Sequence, residues 1–322
     1  MPISHEKFIQ QVLESIRASE THGLLNAGSS DVLDGLSGIK SVGLLQRLTG
    51  LFQDEADTCY LEIGVFQGLT LLSVASAFPD YPCFGIDNFS LLDPEGKNLD
   101  IVRDRTAKLE AQNAELINLD FEEALIRLDD FIGERKVSVF LIDGAHDYRS
   151  QMMCLLLGKK HLHERAIILV DDANYNFVRQ STHDFLKSHS DYKMIFDAYS
   201  PMHPANMDPA TLTEWEKGWL NGVNILVCDP EGCVPEMLPP VEENRQLYVN
   251  EWLVHRHQFA ELAPQAIDLA QSICMGDNEG EGERRRRLMD AYAGQSEQLA
   301  TRFPDRNTYS GNLPALRYNK TL

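Results

Sequence analysis

From Thr58 onward the chain alternates short apolar runs with helical stretches, and no other feature constrains its fold as tightly. The runs CYLEIGV, CFGIDNF, AELINLDF, VSVFLIDGA and AIILVDD are followed in turn by LTLLSVASAF, the segment around Ile101–Asn113, EEALIRLDDFI, SQMMCLLLGKKHL and FVRQSTHDFLKSH. Five β-α units in succession predict a parallel sheet covered by helices. Two more strands are expected at YKMIFDAY and GVNILVCDP, which makes a Rossmann-like α/β fold with a seven-stranded, mostly parallel sheet. The stretch between them, Ser200–Asn221, is too long for a tight hairpin and suits a lid.

The flanks read differently. Residues 1–57 are expected to be helical, with Phe8, Val12 and Ile16 at helical spacing and further apolar residues between Asp31 and Phe52. The Rossmann-like domain is expected over 58–230. Beyond it, 231–322 reads as a helical extension. Its apolar positions are Leu247, Trp252, Leu253, Phe259, Leu262, Ile267 and Leu269, and an exposed linker is expected at 276–287, GDNEGEGERRRR. The Arg284–Arg287 run there reads as a solvated face, and the final thirty or so residues are weakly patterned.

Composition narrows the function. The 322 residues include 49 acidic and 29 basic side chains, a formal net charge of −20. Such a surface repels phosphate backbones, so a nucleic-acid substrate is not expected. The opening MPISHEKFIQQVLES has no apolar signal-peptide core, and no apolar stretch approaches a membrane span. The six cysteines form no Cys-x-x-Cys pair and read as reduced thiols, so a cytoplasmic location is expected. The expected partner is a small-molecule acceptor, with neither nucleic acid nor membrane; a homo-oligomer is open.

The first strand runs into Glu62-Ile63-Gly64-Val65-Phe66-Gln67-Gly68. A glycine turn lets backbone approach a ligand, and the next helix begins there with free N–H groups. The spacing Gly-x-x-x-Gly lacks the tight glycine triple of a dinucleotide site. Glu62 suits the cationic amino group of a zwitterion rather than a phosphate. Asp87, ending the second strand, can accept both ribose hydroxyls. Together these point to a nucleoside ligand without a pyrophosphate. Farther on, Asp143 ends the fourth strand and Asp171-Asp172 end the fifth, a neighbour in a doubly wound sheet. Three carboxylates so placed repel unless a cation neutralises them, and a hard divalent ion such as Mg²⁺ accepts carboxylate oxygens. His146, three residues past Asp143, is placed for general-base work.

Glu62-Ile63-Gly64-x-x-x-Gly68, Asp87 and the run Ile142-Asp143-Gly144-Ala145-His146-Asp147-Tyr148 resemble the class I methyltransferases over roughly residues 35–230. Within them the chain is similar to the metal-dependent branch typified by macrocin O-methyltransferase; cephalosporin hydroxylase-like proteins share the signature. The resemblance implies S-adenosylmethionine as cofactor, held by Glu62, Gly64, Gly68, Asp87 and Asp143. It also implies adenine near Asn118 and Asp120, although Asp120 equally reads as a helix cap before Phe121-Glu122-Glu123. It places the metal on Asp143, Asp171 and Asp172. Some relatives carry a histidine base at the position of His146; others use an aspartate where this chain has Ala145. Tyr148 reads as packing. Asn174 is open to metal or substrate contact, and His203, Trp215 and Trp219 are candidate acceptor-pocket residues.

The reading is a metal-dependent O-methyltransferase acting on a hydroxyl of a small molecule, with a sugar or secondary metabolite among the open acceptors. Three rivals stand beside it: a hydroxylase-like relative using iron at the same site, an NAD-binding dehydrogenase, which the glycine spacing disfavours, and a non-catalytic binding module.

Overall fold

A computed structural model describes residues 4–29, 31–241, 260, 262–276, 280–302 and 313–319. Helix α1 (His5–His22) starts where the Ser4 hydroxyl accepts from the Lys7 amide, and its buried stripe of Phe8, Ile9, Val12, Leu13 and Ile16 recurs at helical spacing. Helix α2 (Ile39–Gly50) follows, and then the alternation begins. It runs β1 (Thr58–Ile63), α3 (Leu69–Ala77), β2 (Cys83–Ile86), α4 (Asn98–Lys108), β3 (Ala114–Ile117), α5 (Phe121–Ile126), α6 (Asp129–Ile132), β4 (Lys136–Ile142), α7 (Tyr148–Gly158), β5 (Leu162–Asp171) and α8 (Asn176–Ser188). Then come β6 (Tyr192–Ala198), α9 (Pro209–Glu216), β7 (Val223–Cys228), α10 (Ala263–Met275), α11 (Glu281–Arg302) and β8 (Leu316–Tyr318).

The strands form one sheet in the order β3-β2-β1-β4-β5-β7-β6-β8. Strands β3 to β5 pair in parallel, β7 lies antiparallel between β5 and β6, and β8 runs antiparallel to β6. The Rossmann-like expectation holds, but among the described residues the sheet has eight strands, not seven. The eighth comes from the weakly patterned tail. Its Arg317 forms an ion pair with the fully buried Asp197 on β6, and Asn319 donates to the Met194 carbonyl at 3.0 Å. Three residues are too few to show a period, so only these long-range contacts define the strand.

Alternate residues of the strands feed two cores, one on each face. Tyr60, Leu141 and Leu169 face α1, α2 and α3, while Leu61, Ile142 and Val170 face α7 and α8. Phe8 and Leu44 share the first core, so the N-terminal helices pack directly on the sheet. The extension departs from expectation at its linker: α11 takes in Glu281–Arg287, so the arginine run lies on a helix. Of the apolar positions expected in the extension, Leu247, Trp252, Leu253 and Phe259 lie outside the described residues. Leu269 is buried, whereas Ile267 is exposed. No helix among the described residues is long and apolar enough to cross a membrane.

Strand β1 has β2 on one side and β4 on the other, so the chain's crossovers reverse direction there. In open α/β sheets the crevice at such a reversal, at the carboxyl ends of the strands, is where ligands bind.

Candidate active site

The glycine turn after β1 is built by close approach. Gly64 has φ +91°, its amide donates to the Ile86 carbonyl at 2.9 Å, and a Cβ there would lie 1.8 Å from the Asp143 carbonyl oxygen. Asp143 in turn donates its amide to Ile63 at 2.9 Å. The ends of β1 and β4 are therefore locked together at a spot only glycine fits. Gly68, at φ +85°, caps α3, and its carbonyl accepts from the Leu72 amide at 3.0 Å.

The acids expected around this turn are present, but most of their oxygens are already bonded. Asp87 Oδ2 accepts from the Val65 and Phe66 amides, both at 2.9 Å, and Oδ1 accepts from the Phe89 amide at 2.7 Å. Asp87 thus shapes the glycine turn, with acceptor capacity left over for a ligand hydroxyl. Glu62 is fully buried. It accepts from the Tyr60 hydroxyl at 2.6 Å and from Thr70 at 3.1 Å. Burial pushes its carboxyl up to about 8, against those two hydrogen bonds. Asn118 and Asp120, beyond β3, are exposed. The Asp120 side chain accepts from the Glu122 amide at 2.9 Å, which makes it the N-cap of α5.

At the ends of β4 and β5, ligand atoms of Asp143, His146 and Asp172 lie within 4.8 Å of one another, the single group of this kind among the described residues. His146, which sequence reasoning cast only as a base, thus enters the cluster, while Asp171, expected as a ligand, lies just outside it. Asp171 remains close in the electrostatic sense. Its side chain is buried, with Oδ1 lacking any hydrogen-bond partner. Burial, then the carboxylates of Asp171, Asp172, Glu62 and Asp87, drives the Asp143 carboxyl well above its ordinary value. Burial and Asp172 do the same to Asp171. Asp172 itself goes the other way: burial raises it, but the His146 imidazole, the Asn221 amide and His203 together hold it low. The imidazole Nε2 contacts Asp172 Oδ2 directly, and the ring stacks on Tyr175 at 4.9 Å. Burial opposes charge on His146, yet the carboxylates of Asp172, Asp171 and Asp147 together raise its pKa.

An orphaned buried carboxylate oxygen beside a cluster of two acids and an imidazole is the donor set a divalent cation satisfies. Asp143 and Asp172 would hold such an ion, with Asp171 Oδ1 within its electrostatic reach and the His146 imidazole beside them.

Other expected residues fall elsewhere. Asn174 is fully buried, and its amide makes a two-way bridge to Ser200, donating at 2.6 Å and accepting at 3.0 Å. It ties the loop after β5 to the end of β6 instead of facing a ligand. Trp219 is core: it packs on Phe196, and its indole donates to Glu20 of α1 at 2.6 Å. Trp215 lies half-buried on α9. His203 does approach the site, since its Nε2 is 2.6 Å from the Tyr175 hydroxyl. Tyr148 donates to Asp184 at 2.9 Å. Sequence reasoning missed Asn221, whose amide Nδ2 donates to Asp172 Oδ1. The Asn-Gly pair at 221–222 marks a turn, but nothing in the sequence ties that turn to the acid 49 residues earlier.

Residues 61–173 match a family model described as a methyltransferase domain. This span contains the glycine turn, Asp87, Asp143 and His146 and ends one residue past Asp172. Over those residues the chain is similar to a methyltransferase domain, carried on a Rossmann-like fold. No curated protein matches it in sequence. Among solved structures it is similar to the O-methyltransferase TomG from Streptomyces achromogenes, determined with S-adenosylmethionine. That likeness has 17% identity and a TM-score of 0.47, over 71% of this chain and 100% of TomG. An O-methyltransferase from Bacillus cereus, in complex with S-adenosylhomocysteine, shares 12% identity at a TM-score of 0.43, over 71% of this chain and 93% of the other. The Podospora anserina methyltransferase PaMTH1, bound to S-adenosylhomocysteine, shares 12% at 0.40, over 71% and 98%. Likenesses this distant carry no acceptor over to this chain.

Proposed function

We propose that the protein is an S-adenosylmethionine-dependent, divalent-metal-dependent O-methyltransferase acting on a hydroxyl of a small molecule, in the macrocin O-methyltransferase-like branch. The observation that carries the metal-dependent part is the meeting of Asp143, His146 and Asp172 beside the orphaned oxygen of Asp171. The glycine turn would hold the cofactor, and Asp87 would accept its ribose hydroxyls with its remaining acceptor capacity. Glu62 would face its ammonium, a cation that would favour the carboxylate's ionisation. The six cysteines are all free thiols, which suits a reducing cytoplasm.

A divalent cation held by the acids would supply Lewis-acid polarisation of the acceptor hydroxyl and so lower its pKa. The chain's own groups do the rest. The Gly64–Gly68 turn fixes the sulfonium, and His146 Nε2 takes the hydroxyl proton. As the acceptor oxygen forms its bond to the methyl carbon, the carbon–sulfur bond breaks. The electron pair stays on sulfur, and a neutral thioether leaves. His146 needs Asp172 to be engaged elsewhere for this step, because the direct contact with that carboxylate stabilises the protonated ring.

Calorimetry with S-adenosylmethionine and S-adenosylhomocysteine tests the cofactor. Both are expected to bind, and a protein silent to both but responsive to NAD would defeat the reading. For the base, His146→Ala should lower turnover by about 10²-fold or more while leaving cofactor affinity in place. Wild-type turnover in that variant would remove His146 from the chemistry.

A further inference from the structure

We infer that Asn221 is a positioning residue for the cation site, holding Asp172 so that the carboxylate presents its other oxygen to the ligand; this rests on the metal-dependent reading above. Asn221 stands third in the turn Trp219–Gly222, which is closed by the Gly222 amide donating to the Trp219 carbonyl at 2.9 Å. Its φ of +61° is a conformation that asparagine tolerates better than most residues. The residue is 8% exposed, and its Nδ2 donates to Asp172 Oδ1.

The turn is a fixed platform. The Trp219 indole is anchored to Glu20, and the Gly218 carbonyl accepts from the Lys40 amide at 3.2 Å. On its other side the turn grips the loop that follows Asp172. The Asn221 carbonyl accepts from the Asn174 amide at 3.1 Å, and the Gly222 carbonyl accepts from the Ala173 amide at 3.2 Å. One turn therefore holds the backbone just beyond Asp172 and the side chain of Asp172 as well.

Asp172 needs such a hold. It sits at φ +56° next to Asp171 and within the acid cluster, where repulsion pushes its carboxylate away from the others. His146 and Asn221 take one oxygen each. A histidine that works as a base must let go, which leaves the amide as the lasting restraint. The residue type fits the task. A neutral amide donates a hydrogen bond without cancelling the negative field that draws a cation, as a lysine or arginine would, and without adding repulsion, as an acid would. Hydrogen-bonded partners of metal ligands act this way, and their loss typically costs 10–100-fold in metal affinity.

Mn²⁺ titration of the full chain, followed by electron paramagnetic resonance, tests the inference without any acceptor. Asn221→Gly is the main variant, because glycine keeps the positive φ and the backbone hydrogen bonds and deletes only the amide. Asn221→Asp keeps the shape and replaces the donor by an acceptor. Both are expected to bind Mn²⁺ roughly 10-fold or more weakly than wild type, with S-adenosylmethionine affinity and melting temperature retained. Unchanged Mn²⁺ binding in Asn221→Gly would make the amide a bystander, and tighter binding in Asn221→Asp would make 221 a ligand position; either overturns the inference. A wild-type protein that takes no Mn²⁺ would instead overturn the metal-dependent reading itself.

Discussion

Replacing Asp143 by asparagine should cut methyl transfer on the order of 10³-fold, because the Lewis-acid contribution at stake is several kcal/mol. EDTA should do the same to wild type, with recovery on adding Mg²⁺ or Mn²⁺. Asparagine keeps the volume of the side chain and leaves the bond from the 143 amide to Ile63 intact, so the ends of β1 and β4 stay joined. Folding is expected to be unharmed or improved. The raised Asp143 and Asp171 carboxyls bind protons more tightly in the folded protein than in the unfolded chain. Their stabilising share is therefore present at low pH and lost as pH rises through the raised folded values. Asp143→Asn removes one of the two groups responsible, so the cation-free variant should melt no lower than wild type at neutral pH. Activity against metal concentration, read beside the melting curve, checks both halves. Full turnover in EDTA, or activity and melting temperature falling together, would contradict the metal assignment.

Gly64→Ala should be the more damaging change to the fold. The added carbon would sit 1.8 Å from the Asp143 carbonyl oxygen and 2.5 Å from its carbonyl carbon, and both are backbone atoms that no rotamer change can move. The φ of +91° adds strain of its own. Separating β1 from β4 at this point disturbs the central pair of the sheet. A loss of about 4 kcal/mol belongs to this class of clash, which corresponds to a melting temperature lower by roughly 10 °C. Cofactor binding should be lost with it, since the turn and the Asp143 backbone move together. Gly68→Ala is the control. There the nearest atom is the flexible end of Leu72, at 3.1 Å, so mainly the backbone strain remains. Equal melting temperatures for wild type and Gly64→Ala would show that the close approach is not what the glycine is for.

The contrast between these two glycines also marks what a sequence can disclose. The Gly-x-x-x-Gly spacing announces a turn, and the repeated β-α rhythm announces the sheet that supports it, because both are local patterns. Asp143 and Asp172 follow from the same rhythm, since each comes directly after the last residue of a strand. Local pattern says nothing about which of two adjacent acids turns into the cluster. The backbone of Asp172 passes into the left-handed region, and that reversal brings its carboxylate to His146 while Asp171 stays on the strand. Nor does it reveal that Asp87 spends its oxygens on the amides of Val65 and Phe66, or that Trp219 is held by Glu20, 199 residues away. Asn221 was invisible for the same reason: its meaning lies in a partner that only the folded sheet brings near.

Strand β8 gives the sheet a protected boundary. Without it, β6 would present a free row of backbone donors and acceptors along an apolar strand, the kind of edge on which a second molecule can add its own strand. Arg317 makes the occupant of that edge specific. Asp197 is fully buried, and a strand lacking a cation at this register would leave the acid with the Tyr199 hydroxyl but no charge partner from that strand. The ion pair thus favours, at that edge, a segment that brings a cation into this register over one that does not.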